Sequence, residues 1–427
     1  MIKHNLLQAA KAFVLLVAFY FLAGLAAYVM PDWRVRKNVQ RTVDRGDLCE
    51  DYPKAVVSDT PGIQDAFTLD NFTDALIVNQ ALMMRSEGLK GVLLLPRYNT
   101  NKDNQCASLR DLLEVPPEEG GRTPNFTKHT EYGGRVIYYG RYWHGSTFIT
   151  RLLLSVLTFT DIRLLLYIVT SLLMLWCCLC LWQRVDRVVG VVLPISLLAV
   201  NVFVMQFSMQ FAPVLIITLG ALIWMAYHPH ATSHCLLLFV VGSLTAYFDL
   251  ITVPSVSLGL PLLVWVAMER PTEWRRGLSG LVSLTLWWAV GYALTWLAKW
   301  GLATLFTGVN ILTDAYDEAM IWSNDGGNYL LGAIGDNLSR LCRPCVMVPL
   351  VALIVLAVSK PRKGVWVTVA MYVLVMLIPF AYYLLMAKPA QHHNWFNYRA
   401  LVTAVAALLM AVASLVDWDK VKLTRHE

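Results

Sequence analysis

The sequence predicts an all-α, polytopic integral membrane protein, and three observations carry that reading. Apolar residues make up 57% of its 427 residues and charged residues only 15%. Runs such as 165–182 and 399–416 stay apolar for nearly the ~20 residues that a helix needs to cross a hydrocarbon core. One stretch, 31–150, breaks the pattern by interleaving acids, bases and prolines, as a hydrated domain does.

Taken in order, the chain opens on an apolar segment at 12–30 that follows Lys3 and Lys11. This run is too long for a cleaved leader and no small-residue cleavage site closes it, so it reads as a retained helix. Further spans are expected near 164–182, 188–205, 212–227, 235–249, 254–268, 278–298, 345–359, 365–387 and 399–416, about ten transmembrane helices in all. The chain thus divides into a tail with the first helix (1–30), a loop domain with interfacial helices (31–150) and a bundle of nine further helices (151–427) with an outer loop at 303–344.

Orientation follows from the cations near helix ends, which are retained in the cytoplasm. With the N-terminus inside, the inner segments hold Lys3, Lys11, Arg184, Arg187, Arg270, Arg275, Arg276, Lys360, Arg362, Lys363, Lys420, Lys422 and Arg425. The opposite short loops hold only Lys299, Arg340, Arg343, Lys388 and Arg399. Both termini are therefore expected in the cytoplasm and 31–150 outside, because long domains translocate whatever their charge. The net charge of +6 then reflects topology, and no nucleic-acid partner is expected. "PDWRVRKNVQRTVDR" suits either a helix on lipid headgroups or a plain solvated face.

Cysteines divide by side. Cys49, Cys106, Cys342 and Cys345 fall outside, where an oxidising compartment permits bridges Cys49–Cys106 and Cys342–Cys345. Cys177, Cys178, Cys180 and Cys235 lie in apolar spans and read as small fillers. "CRPC" lacks the βαβ setting of a redox motif, and no zinc spacing is present.

Polar groups beside a bilayer are costly, so their placement points to function. In this topology the acidic run 59–74, "YYGRYWHGSTF" (138–148), "YFDLITVPS" (247–255) and "KPAQHHNWFNYR" (388–399) all face outward, joined by Asp314, Asp317, Glu318 and Asp325. Such one-sidedness argues against a secondary transporter, which needs ionisable groups at the midplane and often paired repeats, and against a channel. It fits an enzyme at the membrane boundary. Asp70 is placed to cap a helix over 71–84, and Asp74 follows one turn later among apolar neighbours that suit a general base. As a first-turn acid, Asp74 equally suits the helix dipole. Asp59 and Asp65 read as turn residues. Arg141 and His144, flanking Tyr142 and Trp143, suit gripping a phosphate or stacking on a sugar, or else belong to an interfacial aromatic belt. Lys388, His392, His393, Trp395 and Arg399 have the same two readings, with phosphate binding preferred for Arg399. Asp249 is expected either to pair with His144 or an arginine, or to contact substrate.

These residues, "DNFTDALIVN", "YGRYWHG", "FDLITVP" and "NWFNYRAL", together with a large acidic first loop, resemble the GT-C superfamily of glycosyltransferases. Bacterial arabinofuranosyltransferases, including those that decorate type IV pilin, are the nearest analogy. The resemblance implies a polyprenyl-phosphate sugar donor, arabinofuranose first, and an acceptor hydroxyl on a periplasmic protein or glycan. It also implies an active site on the periplasmic face of a bacterial inner membrane. Asp74 or Asp70 would be the base, and Arg141, His144, Lys388, His392, His393 and Arg399 the donor-phosphate contacts. Asp249, Tyr142, Trp143 and Trp395 would contact substrate, and a divalent metal is left open. The family often pairs its loop acids, whereas Asp70 and Asp74 stand a turn apart. Acceptor recognition is expected from 31–150 and 303–344. Alternative readings are an O-antigen-type polymerase or ligase, and a transporter or flippase of lipid-linked sugars.

Overall fold

A computed structural model describes residues 2–50, 52, 54–56, 68–100, 104–115, 135–229, 234–323 and 329–423. Asp59, Asp65 and Asp325 lie outside the described residues. The architecture is an all-α membrane protein: helices run through nearly every described segment. The exceptions are two antiparallel ribbons, Lys54–Val56 with Thr68–Asp70 and Arg97–Thr100 with Arg135–Tyr138.

The expectation of ten spans is corrected. Among the described residues five helices are long and apolar enough to cross a membrane: Leu6–Val29, Phe159–Arg184, Trp274–Thr307, Trp366–Leu385 and Asn394–Ser414. A sixth is added if Tyr329–Ser339 and Arg343–Ser359, bent by 81°, count as one broken span. Four of the expected spans are instead the shorter helices Arg187–Ala199, Ala212–Tyr227, His234–Phe248 and Pro254–Glu269. At ~1.5 Å per residue none of these reaches ~30 Å. The misreading has a physical cause. An apolar run is equally suited to lipid and to protein interior, and Pro254–Glu269 is buried along almost its whole length. Chain breaks cut these runs short: Asn201 adopts a left-handed conformation after Arg187–Ala199, and the 249–253 turn separates the last two.

Described residues of 31–150 pack against the helices that follow. Val35, Val39 and Val43 recur at helical spacing on the Asp32–Asp44 helix, and they pack in one core with Ala75, Ile77, Phe159 and Ile162. Each fully buried valine contributes roughly 1.5–3 kcal/mol. Arg151, wholly buried, ties this core to the first span. Its guanidinium donates to the Ala27, Met30 and Ala81 carbonyls and pairs with Asp32.

Cys49 and Cys106 are joined by a disulfide across 57 residues. Closing so long a loop stabilises a fold by ~2–4 kcal/mol. Cys49→Ser is therefore expected to speed tryptic cleavage within 31–150 relative to the bundle; unchanged cleavage would show that the cross-link contributes nothing. The expected Cys342–Cys345 bridge is not formed. Cys342 is the N-cap of Arg343–Ser359 and Cys345 sits in its first turn, both as free thiols with sulfurs 3.0 Å apart. Cys177 and Cys180 are buried thiols, and Cys178 and Cys235 are half-buried ones.

Candidate functional site

Asp70 ends the Thr68–Asp70 strand and caps the Asn71–Met83 helix. One carboxylate oxygen accepts from the Thr73 amide at 3.1 Å and the other from the Thr73 hydroxyl at 2.6 Å. The side chain is 4% exposed, and burial pushes its carboxyl up to about 6 in spite of those bonds. A carboxylate offers about four lone-pair sites, so these bonds and one from the Phe72 amide leave capacity for a substrate proton.

Asp74 differs in kind. It is wholly buried, and one oxygen accepts from Arg163 Nη2 at 2.7 Å. The other accepts from the Met209 amide at 3.2 Å and the Ser208 hydroxyl at 3.4 Å. Burial pushes its carboxyl up and the Arg163 guanidinium opposes that. Arg163 also donates to Asn71 Oδ1 at 2.7 Å, so the ion pair anchors the first turn of the Asn71–Met83 helix.

The "HHNWFNYR" segment meets Asp70 across more than 300 residues of sequence. The Asn394–Asn397 helix packs on the Thr68–Asp70 strand, as does Val202–Phe207. Lys54, opposite Asp70 in the ribbon, holds its ammonium 4.7 Å from the Trp395 ring. Arg399 is wholly buried, donates to the Trp395 carbonyl at 3.3 Å and lies over Phe211 and Tyr398. It lies within electrostatic range of both Asp70 and Arg340. His393 stacks on Phe396 at 5.1 Å. His392 meets the Lys388 carbonyl at 3.2 Å, and Lys388 itself donates to the Ile321 carbonyl at 3.1 Å.

A second group is built on the 138–148 segment. Arg141 pairs with Asp314 at 3.4 Å and Glu318 at 3.2 Å and lies over Tyr139 and Tyr142. Its charge is thus already met by two acids. His144 is buried with its ring against the Tyr139 carbonyl at 2.7 Å. Burial lowers its proton affinity to about 3, which leaves the imidazole neutral. Trp143 is a core residue: its indole N–H donates to the Thr295 carbonyl and its ring packs on Tyr20 and Tyr247. The expectation of Arg141 and His144 as free phosphate-binding cations does not fit this geometry, because one is neutralised and the other uncharged.

Asp249 follows the His234–Phe248 helix. The expected pairing with His144 or an arginine is absent among the described residues. Both its oxygens accept from the Thr252 amide at 3.1 Å. The turn it closes holds Ile251 at φ +62°, a conformation that costs a β-branched residue ~1–3 kcal/mol. Tyr382 steadies the turn by donating to the Ile251 and Thr252 carbonyls, and the Gln210 amide donates to Thr252 Oγ1 at 3.0 Å. The Gln210 backbone N–H donates to Ser208 Oγ at 3.2 Å, so Gln210, through its backbone and its side chain, connects the Asp74 pair to the Asp249 turn.

Sequence reasoning missed Lys54, Arg163, Ser208, Gln210 and Tyr382. "QFSMQF", three polar residues in an otherwise apolar run, was an available signal for the middle of this set. Among the described residues no cluster of three or more His, Cys, Asp or Glu is arranged to hold a metal ion. No protein-family model, curated protein or solved structure matches this chain.

Proposed function

We propose that the protein is a membrane glycosyltransferase of GT-C type, moving a sugar from a polyprenyl-phosphate donor to an acceptor hydroxyl. Arabinofuranose is the first candidate sugar, a periplasmic protein such as pilin or a glycan the acceptor, and the periplasmic face of a bacterial inner membrane the setting. One observation carries the reading: a nearly dry carboxylate, Asp70, with proton affinity raised toward neutrality, lies within electrostatic range of the buried Arg399 and stands opposite Lys54, whose ammonium lies over the Trp395 ring. Asp70 takes the acceptor hydroxyl proton as that oxygen bonds to the anomeric carbon. The bond from that carbon to the phosphate oxygen breaks, and its electron pair leaves with polyprenyl phosphate. The leaving phosphate gains a negative charge, which Arg399 and Lys54 stabilise. Trp395 offers a face on which a sugar ring stacks. In this scheme Asp74 is a positioning residue, holding the helix that Asp70 caps, and of the two expected candidates Asp70 is the base.

Arg399→Ala is expected to lower transfer by ~10²–10³-fold, the usual loss when one charge-stabilising donor is removed. Turnover of synthetic polyprenyl-phosphate sugar by the purified protein measures it. A wild-type rate in this variant would remove Arg399 from the site, and failure of the wild-type protein to consume any such donor would overturn the reading.

A further inference from the structure

Far from Asp70, a cavity of about 880 Å³ opens among the Phe159–Arg184, Arg187–Ala199, Arg343–Ser359, Trp366–Met376 and Val402–Ser414 helices. It lies beside Trp182, while Arg163 of the same helix holds Asp74. At ~1.5 Å per residue these two levels are roughly 30 Å apart, the thickness of a hydrocarbon core. The cavity therefore lies at the opposite membrane boundary. Its deep wall is apolar and buried, with Val192, Leu409 and Met410, whereas Arg187, Arg362 and Lys363 stand exposed at the mouth. The mouth is a built feature. Arg362 N–H donates to the Leu415 carbonyl and Asp417 N–H to the Lys360 carbonyl, each at 2.8 Å, which fixes the 360–363 loop against the chain end of the last long helix.

Acids at the mouth do not cancel these cations. Asp186 pairs with Arg270 and caps the Val188 amide, and Asp417 pairs with Lys420 at 2.8 Å. Asp419 also lines the cavity. Among the described residues Arg187, Arg362 and Lys363 have no ion-pair partner. Three exposed cations above an apolar cleft at a bilayer boundary match an amphiphile with a phosphodiester head and hydrocarbon tails.

We propose that this cavity is a binding site for an anionic phospholipid, with its phosphate on Arg187, Arg362 and Lys363 and an acyl chain along Val192, Leu409 and Met410. The site is independent of the transfer chemistry proposed above.

The test is native mass spectrometry of the purified full chain in detergent, titrated separately with phosphatidylglycerol, phosphatidylcholine of the same acyl chains, and glycerol phosphate. Phosphatidylglycerol is expected to bind about tenfold more tightly than phosphatidylcholine. In the triple variant Arg187→Gln, Arg362→Gln, Lys363→Gln that preference is expected to vanish, with the helical circular dichroism unchanged because all three side chains are exposed. Equal binding of the two lipids by the wild-type chain would overturn the proposal, as would a preference that survives in the triple variant. Glycerol phosphate binding as tightly as the lipid would also overturn it, since the apolar wall would then contribute nothing.

Discussion

Asp70→Asn is expected to cut sugar transfer by ~10²–10⁴-fold while leaving the fold intact. Asparagine caps a helix about as well as aspartate, so the bond from the Thr73 amide survives the change. What is lost is the basic carboxylate that takes the acceptor proton, since an amide oxygen accepts a hydrogen bond but is not a base. The pH profile gives an independent reading. With the Asp70 carboxyl raised to about 6, wild-type turnover should climb as pH rises through 6 and level off above it, because only the ionised form is a base. The same shift acts on stability with the opposite sign. From the ordinary value of 3.8 up to about 6 the folded chain holds a proton that the unfolded chain has released, so stability falls as pH rises through that window. A variant with full activity at pH 7, or a wild-type profile flat across pH 5–7, would remove Asp70 as the base.

Asp74→Ala is expected to destabilise the protein by ~3–5 kcal/mol, because it leaves the Arg163 charge without its buried partner. The Met209 amide loses its acceptor in the same step. The thermal midpoint in detergent, read by size-exclusion of heated samples, should fall well below that of the wild type. Asp74→Ala combined with Arg163→Met should recover part of the loss, since the uncompensated charge is then gone as well. If Asp74→Ala instead melts like the wild type and cannot transfer sugar, the two carboxylates exchange roles and Asp74 is the base.

Local signals made parts of this molecule legible. The first span, the Asn71–Met83 helix and its Asp70 cap follow from short-range rules: an unbroken apolar run, and an acid one position before a helical pattern. The four shorter helices were not legible as such. Leu, Val and Ala carry no mark that separates a lipid-facing surface from one enclosed by other helices. The contrast is visible between Phe159–Arg184, largely exposed along its length, and Pro254–Glu269, buried almost throughout.

Composition and hydropathy by themselves determined that the chain is helical and belongs in a membrane, because those properties sum over residues irrespective of partners. They also set out the polar stretches from which any site must be drawn. Only the tertiary structure decided which of those groups meet and in what state. Asp70 and Asp74 are one helical turn apart and chemically identical, yet one lies within electrostatic range of Arg399 while the other is locked to Arg163 and Met209. Arg141 and Arg399 are the same residue type, yet Asp314 and Glu318 pair with the first, and the second lies buried beside the Trp395 carbonyl. The state of an ionisable group depends on the dielectric and the charges within a few ångströms. Folding supplies those neighbours from distant points of the chain.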